Sequence, residues 1–173
     1  FGSGGHAIAE ELSRRLGITL YDHNLLDAVA AEMNVDVSEL RKYDEKPRRL
    51  FLSRNENGFS SSAEENVAFL QFHYLKERAE AGESFIVVGR CAESVLRDYP
   101  NKISIFVLGD QEQKCKRVME IYQLSEKEAQ FKMERHDRYR KQYHNYFCQD
   151  KWGDSRTYDV SINSSKLGIE ETV

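Results

Sequence analysis

Phe1-Gly2-Ser3-Gly4-Gly5-His6-Ala7-Ile8-Ala9 opens the chain: three glycines and a serine run straight into an amphipathic pattern. Ile8, Leu12 and Leu16 recur every four residues, along one face of a helix. Glycines let the backbone curl so that successive N–H groups point inward, and the helix that follows adds its positive N-terminal end. Together these make an anion cradle, most often for phosphate. The plainer reading of the same residues is a flexible tail feeding a surface helix, because short glycine-rich runs are weak signals by themselves. The rest of the chain decides between the two.

Outward from the glycines, the pattern predicts a first helix over about Ala7 to Leu16, stopped by Gly17. Ile18 to Asp22 reads as a short strand ending in a carboxylate. Leu25, Leu26, Val29, Ala30 and Met33 mark a second helix, and Asp36 with Glu39 has capping-box spacing for a short third one ending before Pro47. Phe51 to Ser62 reads as a mobile loop, and it is left open whether that loop is whole. Ala63 to Gly82 predicts a long helix with Val67, Leu70, Tyr74 and Leu75 on its buried stripe.

Ser84-Phe85-Ile86-Val87-Val88-Gly89-Arg90 and Ile103 to Leu108 are continuous apolar runs, suited to strands buried on both faces of a parallel sheet. Asp110 and Gln113 are placed to cap a helix carrying Lys114, Lys116 and Arg117, and Ser125 with Glu128 to cap a charged, tyrosine-rich one. Tyr158 to Asn163 is a last strand before Ser164-Ser165. Strands alternating with helices imply an α/β fold in three layers, a parallel sheet covered by helices on both faces. Ligands in that architecture sit at the carboxyl ends of the strands. Asp22, Gly89-Arg90 and Asn163-Ser164 all fall at such ends.

The 173 residues suit one domain with a real core. A net charge of −4 argues against non-specific attraction to nucleic acid or an acidic membrane. No apolar run approaches a membrane span, and no signal-peptide pattern is present. Three widely spaced cysteines (Cys91, Cys115, Cys148) fit free thiols in a reducing cytoplasm, and none forms a CxxC pair. The chain opens inside a glycine loop and stops at Val173 in the first turns of a helix, so the reading expects both ends to continue.

These blocks resemble the cytidylate-kinase-like branch of the P-loop nucleoside monophosphate kinases. The likeness runs from Gly2 to the C-terminus: Gly-Ser-Gly-Gly with Ile8-Ala9, Leu16-Gly17 with Tyr21-Asp22, Val88-Gly89-Arg90, Arg135-His136-Asp137-Arg138, Trp152 with Tyr158-Asp159, and Ile162-Asn163-Ser164-Ser165. The resemblance implies a P-loop nucleoside triphosphate hydrolase-like domain over residues 1–173, with an acceptor-side helical insertion near 33–82 and a helical lid near 125–150. It implies transfer of a phosphoryl group from ATP, with Mg2+, to a nucleoside monophosphate such as cytidylate or to a related small metabolite. Gly2, Ser3, Gly4, Gly5 and His6 would hold the donor phosphates, with Arg117 beside them and Asn163 and Ser164 near the donor base. Arg90 would hold the acceptor phosphate, Asp22 would lie on the substrate side, and Arg135 and Arg138 would close over both nucleotides. Phosphoryl transfer needs alignment and charge neutralisation more than a reactive side chain, which suits arginines. Arg135 and Arg138 share a helical face, though a solvated charged helix is the plainer account of that run.

The chain departs from the pattern in instructive places. The P-loop lysine position is Gly5 and the magnesium hydroxyl falls near Ala7. A lysine-less loop is common in this branch, so the loss fits the family while leaving turnover open. Restored charge is expected from Arg135, Arg138 or His6, and magnesium contacts through water from Ser3 or Asp22. Cys91 replaces the aspartate that follows Gly-Arg in cytidylate kinases, and Ala28 stands where they carry an arginine. The alternative function is a nucleotide-binding regulatory module without turnover. The five histidines show no close ligand spacing, so no metal ligands are assigned to the protein itself. Tyr139, Tyr143, Tyr146 and Phe147, interleaved with Arg138, Arg140 and Lys141, read as a packing face rather than a nucleic-acid platform. The expected partners are nucleotide substrates alone; oligomeric state is not decided.

Overall fold

Helix α1 (Gly5–Leu16) starts on Gly4, whose φ of 79° is left-handed, and ends on Gly17, where φ is 66° and the amide donates to the Ser13 carbonyl. The glycines at both ends adopt a conformation that costs other residues energy. A computed structural model describes residues 1–44, 55–56, 59–60 and 62–173 of the chain. After α1 come β1 (Thr19–Tyr21), α2 (Leu25–Met33) and α3 (Val37–Arg41), where the Asp36 carboxylate accepts from the Ser38 amide. The expected loop at Phe51–Ser62 lies mostly outside the described residues. Its described backbone is β2 (Asn55–Glu56) paired antiparallel with β3 (Phe59–Ser60). Then follow α4 (Ala63–Glu80), β4 (Phe85–Val87), the single turn α5 (Ala92–Val95), β5 (Ile105–Leu108), α6 (Gln111–Tyr122), α7 (Glu126–Phe147), β6 (Val160–Asn163) and α8 (Ser164–Thr172), the last interrupted at Gly168.

The architecture is a helix-rich α/β fold with small parallel sheets. β1 pairs with β4 in parallel, Leu20 opposite Ile86, and β5 pairs with β6, Val107 opposite Ile162. Here the structure departs from the expectation of one continuous parallel sheet. Among the described residues no hydrogen bonds join β4 to β5, and the pairs remain separate two-stranded units. Helices bridge them instead: α1 lies on β1 and β4, α8 lies on β5 and β6, and α1 and α8 touch. The burial expected of β5 also fails in part, since Ile105 and Leu108 are exposed rather than covered on both faces.

The core is divided accordingly. Tyr21, Leu25, Val29, Leu75, Ala92 and Leu96 pack where β1, α2, α4 and α5 meet. Leu25 and Leu75 are fully buried, and each such leucine contributes about 2 kcal/mol relative to exposure. Of the predicted α4 stripe, Val67 and Leu75 are buried, while Leu70 and Tyr74 are partly so and pack against this cluster. A second cluster, Cys115, Val118, Ala129 and Met133, fastens α6 to α7. Ser125 and Glu128 close a full capping box on α7, as their spacing predicts. Asp110 does not cap α6; its carboxylate accepts from Asn163 and pairs with Lys166. No helix among the described residues is long and apolar enough to cross a membrane. None of the three cysteines is joined in a disulfide among the described residues.

Candidate functional site

The glycine loop is curled and tightly held. Gly2 and Gly4 have φ of 83° and 79°. A Cβ at Gly4 would meet the ends of the Ile169 and Arg117 side chains, which would have to shift, and the left-handed φ strains any residue but glycine. Arg117 Nη1 donates to the Gly2 carbonyl at 2.9 Å. The fully buried Ser164 hydroxyl donates to the Ser3 carbonyl at 2.6 Å, with the Leu108 carbonyl 3.2 Å away. Residues from α6 and α8 thus pin the loop, and its own amides lead into α1. No side chain caps the α1 N-terminus and no acid lies in its first turn. Helix amides left without a side-chain cap are what a phosphate cradle requires.

The strand ends converge on this loop. His6, in the first turn of α1, places Nδ1 2.5 Å from Asp22 Oδ2 just beyond β1. Asp22 is buried, its amide held by Asn24 Oδ1 at 2.8 Å. The Val88 amide donates to the Tyr21 carbonyl, which carries the Gly89-Arg90 turn to the same end. Through Ser164 the loop also touches the end of the β5–β6 pair.

Arg90 is only 2% exposed and sits in a run of three left-handed residues: Gly89, Arg90 and Cys91, with φ of 75°, 55° and 54°. The two non-glycine members each cost about 1 kcal/mol or more, a cost that surrounding structure must offset. The Arg90 guanidinium lies 3.0 Å from the Asp44 carboxylate, whose other oxygen accepts from the fully buried Gln71 at 3.1 Å. Asp44 and Gln71 escape the sequence reading. Gln71 lies beside a predicted apolar stripe, and Asp44 follows α3 without any motif.

The other assigned residues divide. Arg117 stands at the loop, as the resemblance implies. Asn163 spends its side chain locally: Oδ1 accepts from the Ser165 amide and Nδ2 donates to Asp110. That hydrogen bond, and then Lys166, hold the Asp110 carboxyl below its ordinary range. Arg135 and Arg138 are exposed on α7 and make no hydrogen bond or ion pair among the described residues. The helix itself reaches the start of the loop, where the Phe1 amine pairs with Asp137 and its ring stacks on His136, but neither arginine is hydrogen-bonded to the glycines. Lys114 carries no role in the sequence reading, yet its Cβ would lie 3.3 Å from a side chain built on Gly2, and its ammonium lies 3.3 Å from Asp137. Of the aromatic run on α7, Tyr143 is buried and Phe147 packs with it, while Tyr139 and Tyr146 are exposed.

Comparison with known proteins adds an independent finding. The model of the cytidylate kinase-like family matches residues 1–166. A solved crystal structure, titled an uncharacterized protein from Eubacterium ventriosum ATCC 27560, shares 39% identity and superposes with a TM-score of 0.78. That match covers 99% of this chain and 88% of the other. No curated protein matches the chain.

Proposed function

The chain belongs to the cytidylate kinase-like family, and from that premise we propose that it transfers a phosphoryl group from ATP to a nucleoside monophosphate or a related small phosphorylated metabolite. One observation carries the reading: the ends of both parallel strand pairs meet a curled glycine loop whose helix amides have no side-chain cap. The amides of Gly5, His6 and Ala7 bind the donor phosphates, and Arg117 holds the loop and supplies positive charge where the usual lysine is absent. Arg90 takes the acceptor phosphate in place of Asp44, a swap of one anion for another on the same guanidinium. Arg135 and Arg138, unengaged in this conformation, close over the bound nucleotides and exclude water. Asp22 and Ser3 would hold magnesium through water, where the ion would neutralise phosphate charge. Charge neutralisation and alignment are most of what this chemistry demands of a protein.

A specific observation also favours a second reading, a regulatory nucleotide-binding module. Gly5 and Ala7 stand at the positions of the P-loop lysine and hydroxyl. ADP release measured across the nucleoside monophosphates, alongside ATP titration by calorimetry, separates the two. Turnover with at least one acceptor supports the kinase. Binding of ATP with no turnover on any acceptor transfers the conclusion to the module, and absence of ATP binding removes both.

A further inference from the structure

Away from the glycine loop, four side chains from two distant segments form a buried polar cluster. Cys91 and Glu93 stand at the start of α5, and His144 and Cys148 at the end of α7. His144 and Cys148 are one helical turn apart, joined by the Cys148 amide donating to the His144 carbonyl at 2.8 Å, so both side chains leave the same face. Across from them His144 Nε2 lies 2.5 Å from Glu93 Oε1, and Cys148 Sγ lies 3.9 Å from the same oxygen. The ligand atoms of Glu93, His144 and Cys148 all fall within 4.8 Å of one another. Cys91 adds a second buried thiol, packed in the same cluster as Cys148. His144, Cys148 and Cys91 are 5%, 8% and 4% exposed. His144 Nδ1 is buried without a hydrogen-bond partner among the described residues.

We propose that Glu93, His144 and Cys148 form a binding site for a zinc-like divalent cation, with the neighbouring Cys91 thiol swinging in as fourth ligand. One carboxylate, one imidazole and two sulfurs are a donor set that selects a borderline-soft metal over magnesium or calcium. A tetrahedral ion with bonds of about 2.0–2.3 Å sets its ligands roughly 3.3–3.8 Å apart. The two spacings at Glu93 Oε1 straddle that range, so loading asks that the carboxylate and the imidazole draw apart by about 1 Å and that the Cys91 thiol close in on the other three. Glu93 also lines a cleft of about 210 Å³ with Arg97, Lys102, Asp150, Arg156 and Thr157, which brings solvent to the edge of the cluster. The ion clips α5 to the end of α7 directly beside the strained Arg90 turn. The site is independent of the phosphoryl-transfer reading, and its test involves no turnover.

The test uses the whole chain, reduced and stripped with chelator, titrated with Zn2+ and separately with Co2+. One ion per chain is expected, with cobalt giving a thiolate charge-transfer band in the near ultraviolet and the intense visible bands of four-coordination. Glu93→Gln and Cys148→Ser should each weaken uptake by more than about 100-fold, beyond the loss of a merely supporting partner. His73→Gln, on an exposed histidine of α4, should leave it unchanged. Circular dichroism checks that each variant folds; should Cys148→Ser fail there, Glu93→Gln decides alone. Bound zinc should also protect Cys91 and Cys148 from oxidation in air. Absence of uptake, a cobalt spectrum lacking the thiolate band, uptake unchanged in Glu93→Gln, or a Cys91–Cys148 disulfide forming in excess zinc each overturn the proposal.

Discussion

Gly4 is the residue on which the cradle turns. Its left-handed backbone strains any other residue, and a methyl group added there would displace the ends of the Ile169 and Arg117 side chains. Gly4→Ala should therefore lower stability by about 2 kcal/mol or more, from backbone strain and the displaced Ile169 and Arg117 together. Urea denaturation measures that loss, and ATP titration on the surviving folded fraction should show binding weakened or abolished. An unchanged midpoint would mean that the loop is looser than its packing implies. At the same scale, His136 stacks on the Phe1 ring at 4.3 Å. Burial first, then the charges of Lys132, Arg140 and Arg135, hold its pKa below the ordinary value. The unfolded chain therefore takes up a proton that the folded one resists, so stability falls as pH drops from about 6.5 towards the folded pKa. Proton NMR should place the His136 midpoint below about 6.5, and His136→Gln should flatten that segment of the stability profile; a midpoint above the ordinary value reverses the sign.

Among the elements, α7 is the one whose limits are most legible. Ser125 and Glu128 announce its start by spacing alone, and the capping box forms as expected. Removing the cap with Ser125→Ala should cost about 1 kcal/mol, read from the urea midpoint, with fraying confined to the first turn by hydrogen exchange. Loss of protection along the whole helix would show that packing on α6 contributes less than the cap. Strands are less legible than helices. β5 reads as a doubly covered run, yet Ile105 and Leu108 are exposed. Apolar composition records a residue's preference for burial, whereas coverage depends on which elements arrive from elsewhere. Asp110 shows the same limit: its position suits a cap, but Asn163 and Lys166 compete for the carboxylate more successfully than the helix amides.

Over the whole molecule, the arginines separate into one hydrogen-bonded to the loop and two that make no hydrogen bond or ion pair among the described residues. Arg117→Ala should weaken ATP binding most, because Arg117 alone of the three is hydrogen-bonded to the glycine loop in this conformation. Arg135→Ala and Arg138→Ala should leave ATP affinity near its original value and lower kcat, since their contribution comes only on closure. Initial-rate kinetics beside calorimetry resolve the two effects, and equal losses of affinity in all three variants would contradict a closing motion.

The sequence by itself determined what is written locally: the ends of α1 and α7, the curled glycines, the order of the helices and of the strands outside the β2–β3 pair, and the set of residues placed beyond strand ends. Those features depend on φ preferences, capping groups and apolar periodicity within a few residues of one another. Only the tertiary structure decided that the strands form two separate parallel pairs, that Arg90 rests on Asp44 and Gln71, and that Cys91 and Glu93 meet His144 and Cys148. Each of those contacts joins residues dozens of positions apart, and no local preference encodes the angle at which two packed elements bring their side chains together.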